Sequence, residues 1–298
     1  MLVSGLKESI TRSMNSSQKN RIKDTVFKIF AIACTAFGLI MLAVLLYSVI
    51  SKGFTRIDLD FIINLPSRRA ENAGIYTALL GMIWVLVLTI LIAFPIGISA
   101  GIYLQEYGKS NRLANFIEIN ISNLAGVPSI IYGILGLEFF GRILGLGNSI
   151  LTGSLTLSLL VLPLIIVSTR EAIKAVPKSI REAAYGLGAT KWQTIYSIVL
   201  PSSFGGIMTG LILAISRVVG ETAPLIVIGA LVYVPFAPSN PMDEFTVLTI
   251  QIFNWVTRPQ AGFVTNAAAA IIILLLFTFM MNGMAVILRN KYNKRTRF

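Results

Sequence analysis

The sequence has no histidine and a single cysteine, Cys34, among its 298 residues. A chain without histidine lacks the commonest protein ligand for transition metals and the commonest general base near neutral pH. One cysteine inside an apolar run supports neither a disulfide framework nor a cysteine-based metal site. These absences disfavour most classes of enzyme, and they predict no metal and no cofactor bound to this chain.

Charged residues are also scarce. They make up 13% of the chain, whereas hydrophobic residues make up 55% and mean hydropathy is +0.78. Soluble domains with an ordinary polar surface do not have this composition. The sequence predicts an all-α integral membrane protein, because each apolar segment must satisfy its own backbone hydrogen bonds in lipid. Six apolar runs are predicted to cross the bilayer, and they cover residues 25–50, 74–104, 121–140, 150–169, 205–232 and 264–288.

The formal net charge of +12 comes from lysines and arginines near the two ends and in the loops between apolar runs. A basic face for nucleic acid is therefore not predicted. The basic residues concentrate on the side of the predicted bundle that holds both termini. By the positive-inside rule we predict a multi-pass protein of the cell (inner) membrane, in contact with lipid, with cytoplasmic basic tails at 1–24 and 289–298.

The outer loop 233–262 contains a helix signal. Asn240-Pro241 followed by Asp243 and Glu244 is typical of a helix start. Apolar residues follow at positions 245, 248, 252, 253 and 255. The pattern predicts a short interfacial helix, which either covers the bundle as a structural lid or contacts a substrate.

The predicted cytoplasmic loop 173–204 carries the segment REAAYGLGATKWQTIYSIVLP at 181–201. Its first residues favour helix, Gly188 can adopt a positive φ, and Thr190 can cap a second helix that Pro201 would end. We therefore predict two short helices around a glycine turn, which would project from the membrane as a rigid knob. An ordinary amphipathic hairpin at the interface is the structural alternative.

This segment resembles the EAA loop of ABC-importer permease subunits. The family pattern is Glu-Ala-Ala, three residues, Gly, nine residues and Ile-x-Leu-Pro, and it is filled here by Glu182, Ala183, Ala184, Gly188, Ile198, Leu200 and Pro201. The resemblance implies a type I ABC-importer permease fold, with six transmembrane helices and a five-helix core at 74–288 after a first helix at 25–50. It also implies that the loop couples to a dimer of separate ATPase subunits, which bind the ATP and Mg.

Three other stretches are similar to the phosphate-specific, PstA-type permeases of that family: GIYLQEY at 101–107, GVPSIIYG at 126–133 and SRVVGETAP at 216–224. The resemblance implies an importer of inorganic phosphate, with a second permease subunit, expected to be a paralogue, and an external phosphate-binding protein. The same fold with phosphonate or sulfate as its solute, and an ion-driven secondary phosphate transporter, are the alternatives. A separate ATPase also fits the sequence, because Gly-Lys-Ser at 108–110 has Tyr103 where a P-loop requires its first glycine.

Two charged residues, Arg217 and Glu221, fall in the middle of the fifth predicted span, where each costs about 2.5–3.5 kcal/mol to insert. Four residues apart, they share a helix face and can neutralise each other. The alternative is a function in transport, because an arginine donates paired hydrogen bonds to phosphate oxygens and Glu221 would hold it while the pathway is empty. The family resemblance assigns this pair to the transport pathway.

Other charged residues near the ends of the predicted spans also have two possible roles, one structural and one in transport. Arg170, at the cytoplasmic end of the fourth span, is either a second phosphate contact or an anchor beside Glu171. Glu138 and Arg142, near the outer end of the third span, repeat the four-residue spacing, and we predict a structural pair there.

Overall fold

The computed structural model describes residues 2–108, 112–230 and 233–295. Within these ranges all regular elements are helices, and single π-helical turns continue three of them. The helices are α1 (Leu2–Gly53), α2 (Leu59–Ile63), α3 (Tyr76–Ile102, then the π turn Tyr103–Tyr107), α4 (Arg112–Ala125), α5 (Ser129–Gly136, then the π turn Leu137–Ile143), α6 (Ile150–Lys174), α7 (Lys178–Gly186), α8 (Lys191–Thr194, then the π turn Ile195–Val199), α9 (Leu200–Gly220), α10 (Ala223–Ile228), α11 (Leu248–Val256) and α12 (Ala261–Arg295).

Five of the described helices are long and apolar enough to cross a membrane, and the number is six if α4 and α5 form one bent span. Residues 1–52 form one compact unit and residues 53–298 a second. In the first unit α1 begins at Leu2, so the predicted tail 1–24 is helical from its second residue. Residues 109–110 of the incomplete P-loop pattern, 231–232 of the predicted fifth span and 296–298 of the predicted tail lie outside the described residues.

The centre of the second unit is made of α3, α6 and α9. Small residues let these helices approach closely: a Cβ on Gly97 would lie 2.6 Å from the Ile165 side chain, and one on Gly210 would lie 2.0 Å from Ser168 Oγ. Gly101 faces Thr169 and Gly206 faces Ala172 in the same way. The order of these contacts shows that α3 runs parallel to α6 and that α9 runs antiparallel to it.

The third predicted span is not a continuous helix. α4 and α5 meet at an angle of 107°, so the prediction of one helix over 121–140 is wrong. Pro128 has no N–H and disfavours helical backbone at Val127. Tyr132 stabilises the bend, because its hydroxyl donates a 2.8 Å hydrogen bond to the carbonyl oxygen of Leu124 at the end of α4.

The fifth predicted span differs at both ends. It begins earlier, because the helix runs without a break from Lys191 to Gly220, and Pro201 lies in the first turn of α9 instead of ending a helix. The π turn before Pro201 widens the backbone where a proline ring would otherwise meet a carbonyl. The span also ends earlier than predicted, because the Pro224 ring would clash with the carbonyl of Gly220 in a continuous helix.

The outer helix starts later than the sequence predicts. α11 begins at Leu248, whereas Asn240 opens a turn in which the Asp243 carboxylate accepts the backbone N–H groups of Ser239 and Asn240. The same turn caps α6, because the carbonyl oxygens of Pro241 and Asp243 accept the first N–H groups of that helix. α11 is part of the packed bundle: its buried residues are Leu248, Ile250, Gln251 and Trp255.

Candidate functional site

Arg217 and Glu221 form the ion pair that their spacing predicts. Arg217 lies in the last turn of α9, and Glu221 is the first residue after the helix, with extended backbone. Arg217 Nε is 3.3 Å from Glu221 Oε1. The prediction that the two residues lie in the middle of a helix is wrong, since α9 ends between them.

The pair nevertheless lies at the level of the middle of the bundle. Val218 lines one small cavity together with Val161 and Ile165 of α6, and Glu221 lines another together with Leu157 of the same helix. α9 therefore ends within the length of α6, about a third of the way along it from Ile150. A helix that ends at this depth leaves its last carbonyl groups facing protein instead of bulk water, and Thr249 satisfies one nearby carbonyl by donating a 3.4 Å hydrogen bond to Glu221 O.

The free space at this site lies on the Arg217 side. The cavity beside Glu221 measures about 10 Å³ and is lined mainly by apolar residues, so it holds at most one water molecule. The Arg217 side chain is 39% exposed, whereas the Glu221 side chain is 16% exposed. Ser216 fastens α9 to α12 by a 2.8 Å hydrogen bond to Asn282 Oδ1. Among the described residues, the exposed side of the Arg217 guanidinium is the side from which an oxyanion could reach it.

Arg170 lies apart from this pair. It forms an ion pair with Glu118 of α4, whereas its neighbour Glu171 pairs with Lys174 at 3.5 Å. Arg170 follows Val161 by nine residues on α6, a rise of about 13 Å. The structure does not bring Arg170 and Arg217 together.

The loop 173–204 has the predicted short helix α7 and the predicted glycine turn, but the prediction of a second short helix is wrong, because α8 is the first part of the helix that runs from Lys191 to Gly220. Gly188 has φ +82°, and Thr190 caps α8 in a capping box with Gln193. The tip is exposed, and Leu187 shows 89% of its surface. Ala184 is buried, and Ile198 and Leu200 are half-buried; Glu182, Ala183, Gly188 and Pro201 are exposed.

Sequence reasoning missed a buried ion pair beneath this loop. Arg181 Nη2 is 3.1 Å from Glu106 Oε1, and the two side chains are 9% and 4% exposed. Both residues belong to stretches quoted above for their resemblance, but a charged residue in a predicted loop gives no sign of burial. The predicted pair of Glu138 and Arg142 also forms, at 2.9 Å, and it lies on the surface.

Residues 93–294 match the family described as binding-protein-dependent transport system inner membrane components. The chain belongs to this family. It is a multi-pass permease subunit of an ABC importer in the inner membrane and not an enzyme, and ATP hydrolysis takes place in a separate ATPase. A substrate-binding protein is the other kind of partner that this class of permease requires.

The permease is similar to curated proteins over most of its length. It is 35% identical to the phosphate transport system permease protein PstA of Mycobacterium leprae (strain TN) over 272 residues, 87% of this chain and 86% of that protein. It is 32% identical to PstA of Yersinia pestis over 276 residues, 90% of this chain and 89% of that protein.

Its fold is similar to that of solved ABC importers. The inward-facing MetNI methionine ABC transporter has a TM-score of 0.61 to this permease at 17% identity, and the match covers 73% of this chain and 97% of that one. The predicted all-α type I importer permease fold is confirmed.

Proposed function

We propose that this permease moves inorganic phosphate into the cytoplasm as one subunit of an ATP-driven importer. Its partners in this proposal are an ATPase dimer, a second permease subunit that is a paralogue, and an external phosphate-binding protein. Both termini lie in the cytoplasm. The observation that carries the proposal is the Arg217–Glu221 pair at the mid-bundle end of α9, in a chain whose relatives are named phosphate permeases.

The chemistry of this pair suits an oxyanion that passes through. A guanidinium stays ionised and donates two parallel hydrogen bonds to oxyanion oxygens. Glu221 neutralises Arg217 when no anion is present, which lowers the cost of keeping a charge at this depth. When phosphate arrives at the exposed side of the guanidinium, the carboxylate competes with it. Binding is therefore weak enough for the anion to leave again.

A second permease subunit would complete the pathway. Arg217 is 39% exposed at mid-bundle level, and a charge at this depth needs protein or a water-filled cavity beside it. The α5 face is apolar and exposed, with Ile130, Ile131 and Ile134 each about half exposed. A paralogous subunit across this side would cover the apolar face and close a path along Arg217.

The loop at α7 and α8 supports coupling to the ATPase. Its capping box and its glycine turn make it rigid, and Leu187 at its tip offers an apolar side chain to a partner. Importing an anion against a negative-inside potential costs about 2.3 kcal/mol per charge per 100 mV. ATP binding would draw this loop and the corresponding loop of the second permease subunit together and open the bundle outward. Hydrolysis would return the bundle to its starting state.

Uptake of labelled phosphate by proteoliposomes that hold the complete importer tests the proposal. We expect uptake that requires ATP and that Arg217→Gln abolishes, because glutamine cannot supply the charge. Arg142→Gln is the matched control, since it also removes an arginine from a four-residue-spaced pair but lies on the surface. Unchanged phosphate uptake by Arg217→Gln would exclude a role of the Arg217–Glu221 pair in transport.

The same assay separates the alternatives. Uptake without ATP would indicate an ion-driven transporter. ATP-driven uptake of sulfate or phosphonate that phosphate does not inhibit would indicate an ABC importer with a different solute.

A further inference from the structure

The coupling helix α7 is fastened to the membrane-spanning bundle through one guanidinium group. Arg181 Nη1 donates a 2.6 Å hydrogen bond to the carbonyl oxygen of Val176, and Nη2 donates to Ile173 O at 2.8 Å. Nη2 also donates to Glu106 Oε1 at 3.1 Å. In α7, which the structure describes throughout, Ala184 is the other buried side chain.

These contacts connect the ends of three helices. Glu106 lies in the π turn that ends α3, Ile173 lies in the last turn of α6, and Val176 follows that helix. Arg181 therefore satisfies carbonyl groups at the end of α6, where a cation also complements the helix dipole. The same side chain links α7 to α3 by its ion pair.

An ion pair is an expensive way to anchor a helix. Apolar side chains of similar size often anchor as well, because two buried charges lose their hydration. What the guanidinium adds is direction: its planar N–H groups hold two carbonyl oxygens and one carboxylate oxygen at once, whereas apolar contacts let helices slide. A directional joint is useful where one helix has to move another.

α3, the helix that carries Glu106 of this ion pair, extends to the proposed transport pathway. α3 packs along α6, and its residues Met82, Val85 and Leu86 line the cavity beside Glu221. Leu86 and Glu106 are twenty residues apart, which corresponds to about 30 Å of helix. A displacement applied at Glu106 would therefore reach the neighbourhood of the Arg217–Glu221 pair through one continuous element.

We propose that Arg181, acting through Glu106, is the positioning residue that transmits movement of α7 to α3. Arg181 itself contacts neither ATP nor the transported anion. The inference rests on the proposed function, because α7 is moved by an ATPase only if this permease is coupled to one.

Four variants of the complete importer in proteoliposomes test the joint: Glu106→Gln, Arg181→Lys, the double variant, and the control Glu171→Gln. Glutamine at 106 keeps the shape and a hydrogen-bond acceptor but loses the charge. Arg181→Lys keeps the charge but loses the planar guanidinium with its two donor nitrogens. Glu171 also pairs at the cytoplasmic end of the bundle, but both members of its pair are more than half exposed. The measured quantity is phosphate transported per ATP hydrolysed.

We expect this ratio to fall about tenfold in Glu106→Gln, while ATP hydrolysis and the amount of assembled complex stay within about twofold of the original. The double variant should be no worse than the worse single variant, because both changes break one contact. Glu171→Gln should leave the ratio unchanged. An unchanged ratio in Glu106→Gln, or losses that multiply in the double variant, would overturn the inference. A parallel loss of transport, hydrolysis and assembled complex would assign the pair a structural role only.

A second readout needs no transported solute. In a Cys34→Ser background, Tyr76→Cys at the outer end of α3 is labelled with an environment-sensitive fluorophore. We expect ATP to change its emission and Glu106→Gln to remove that change. A change that persists in Glu106→Gln refutes transmission through the pair. If ATP changes the emission, Glu106→Gln removes that change, and no phosphate is carried, the proposed solute is wrong and transmission through the Arg181–Glu106 pair is supported.

Discussion

Replacing Gly81 with alanine tests how tightly the outer segment before α11 is held against α3. A Cβ at position 81 would lie 2.1 Å from the carbonyl oxygen of Thr246 and 3.3 Å from the carbonyl carbon. Both atoms belong to the backbone, so no side-chain rotation can relieve the contact. The segment has to move outward until the Cβ and the oxygen are at least 3.0 Å apart.

The magnitude follows from two opposing terms. Alanine is favoured over glycine inside a helix by about 1 kcal/mol. Inserting a methyl group into a packed core costs about 1–3 kcal/mol, and a clash with backbone belongs at the upper end of this range. The net effect is a loss of roughly 1–2 kcal/mol in the free energy of unfolding, which corresponds to a melting temperature lower by about 2–8 °C.

Thermal melting of the purified permease measures this effect. Gly283→Ala in α12 is the matched control, because no atom lies within 4 Å of the added Cβ and the helix gains its full propensity. We expect the control to melt at or above the temperature of the original protein. A Gly81→Ala variant that does the same would refute the close approach of the outer segment to α3.

Three further variants test two polar contacts. Arg170→Gln and Glu118→Gln both break the ion pair between α6 and α4, so if Arg170 only anchors, the two variants should transport phosphate at equal rates; a loss confined to Arg170→Gln would identify a phosphate contact. At the outer turn, the backbone N–H groups of Ser239 and Asn240 hold the pKa of Asp243 below its ordinary value of 3.8. The charged carboxylate therefore stabilises the fold above that value, and this stabilisation disappears as the pH falls through the lowered pKa. Asp243→Asn should melt below the original protein at pH 7, and a difference that does not shrink as the pH is lowered below 3.8 would contradict this assignment.

The sequence predicts the features of this permease that depend on local chemistry. Hydropathy locates the apolar helices because insertion in lipid depends on composition over about twenty residues. The glycine turn at Gly188 and the cap at Thr190 also follow from neighbouring residues alone. The ion pair of Arg217 and Glu221 forms as the four-residue spacing suggests, although Glu221 lies just beyond the end of α9 and not on its face.

Features that depend on packing between distant residues cannot be predicted from hydropathy or residue spacing. Pro128 and Pro224 stand in stretches that remain apolar on both sides, so hydropathy continues across the points where the backbone breaks. Pro201 gives the opposite error, because a π turn accommodates it inside a longer helix. The burial of Arg181 depends on a carboxylate 75 residues away along the chain, and no local periodicity encodes that contact.

The break between α4 and α5 and the break between α9 and α10 lie next to each other in the bundle. A Cβ on Gly133 of α5 would lie 2.7 Å from the Cα atom of Pro224 in α10, so the short helix after each break packs directly against the other. α9 can end inside the bundle because α5 and α10 fill the space beyond its last residue, on the outer side.

This ending also sets the electrostatics of Arg217. A cation in the last turn of a helix is stabilised by the helix dipole by about 0.3–1 kcal/mol, which a position in the middle of a helix would not provide. An oxyanion bound to the same guanidinium would meet the negative end of that dipole and the Glu221 carboxylate together. On the proposed function, the helix end therefore helps to keep the arginine in place and weakens its hold on phosphate, as a residue along a transport path requires.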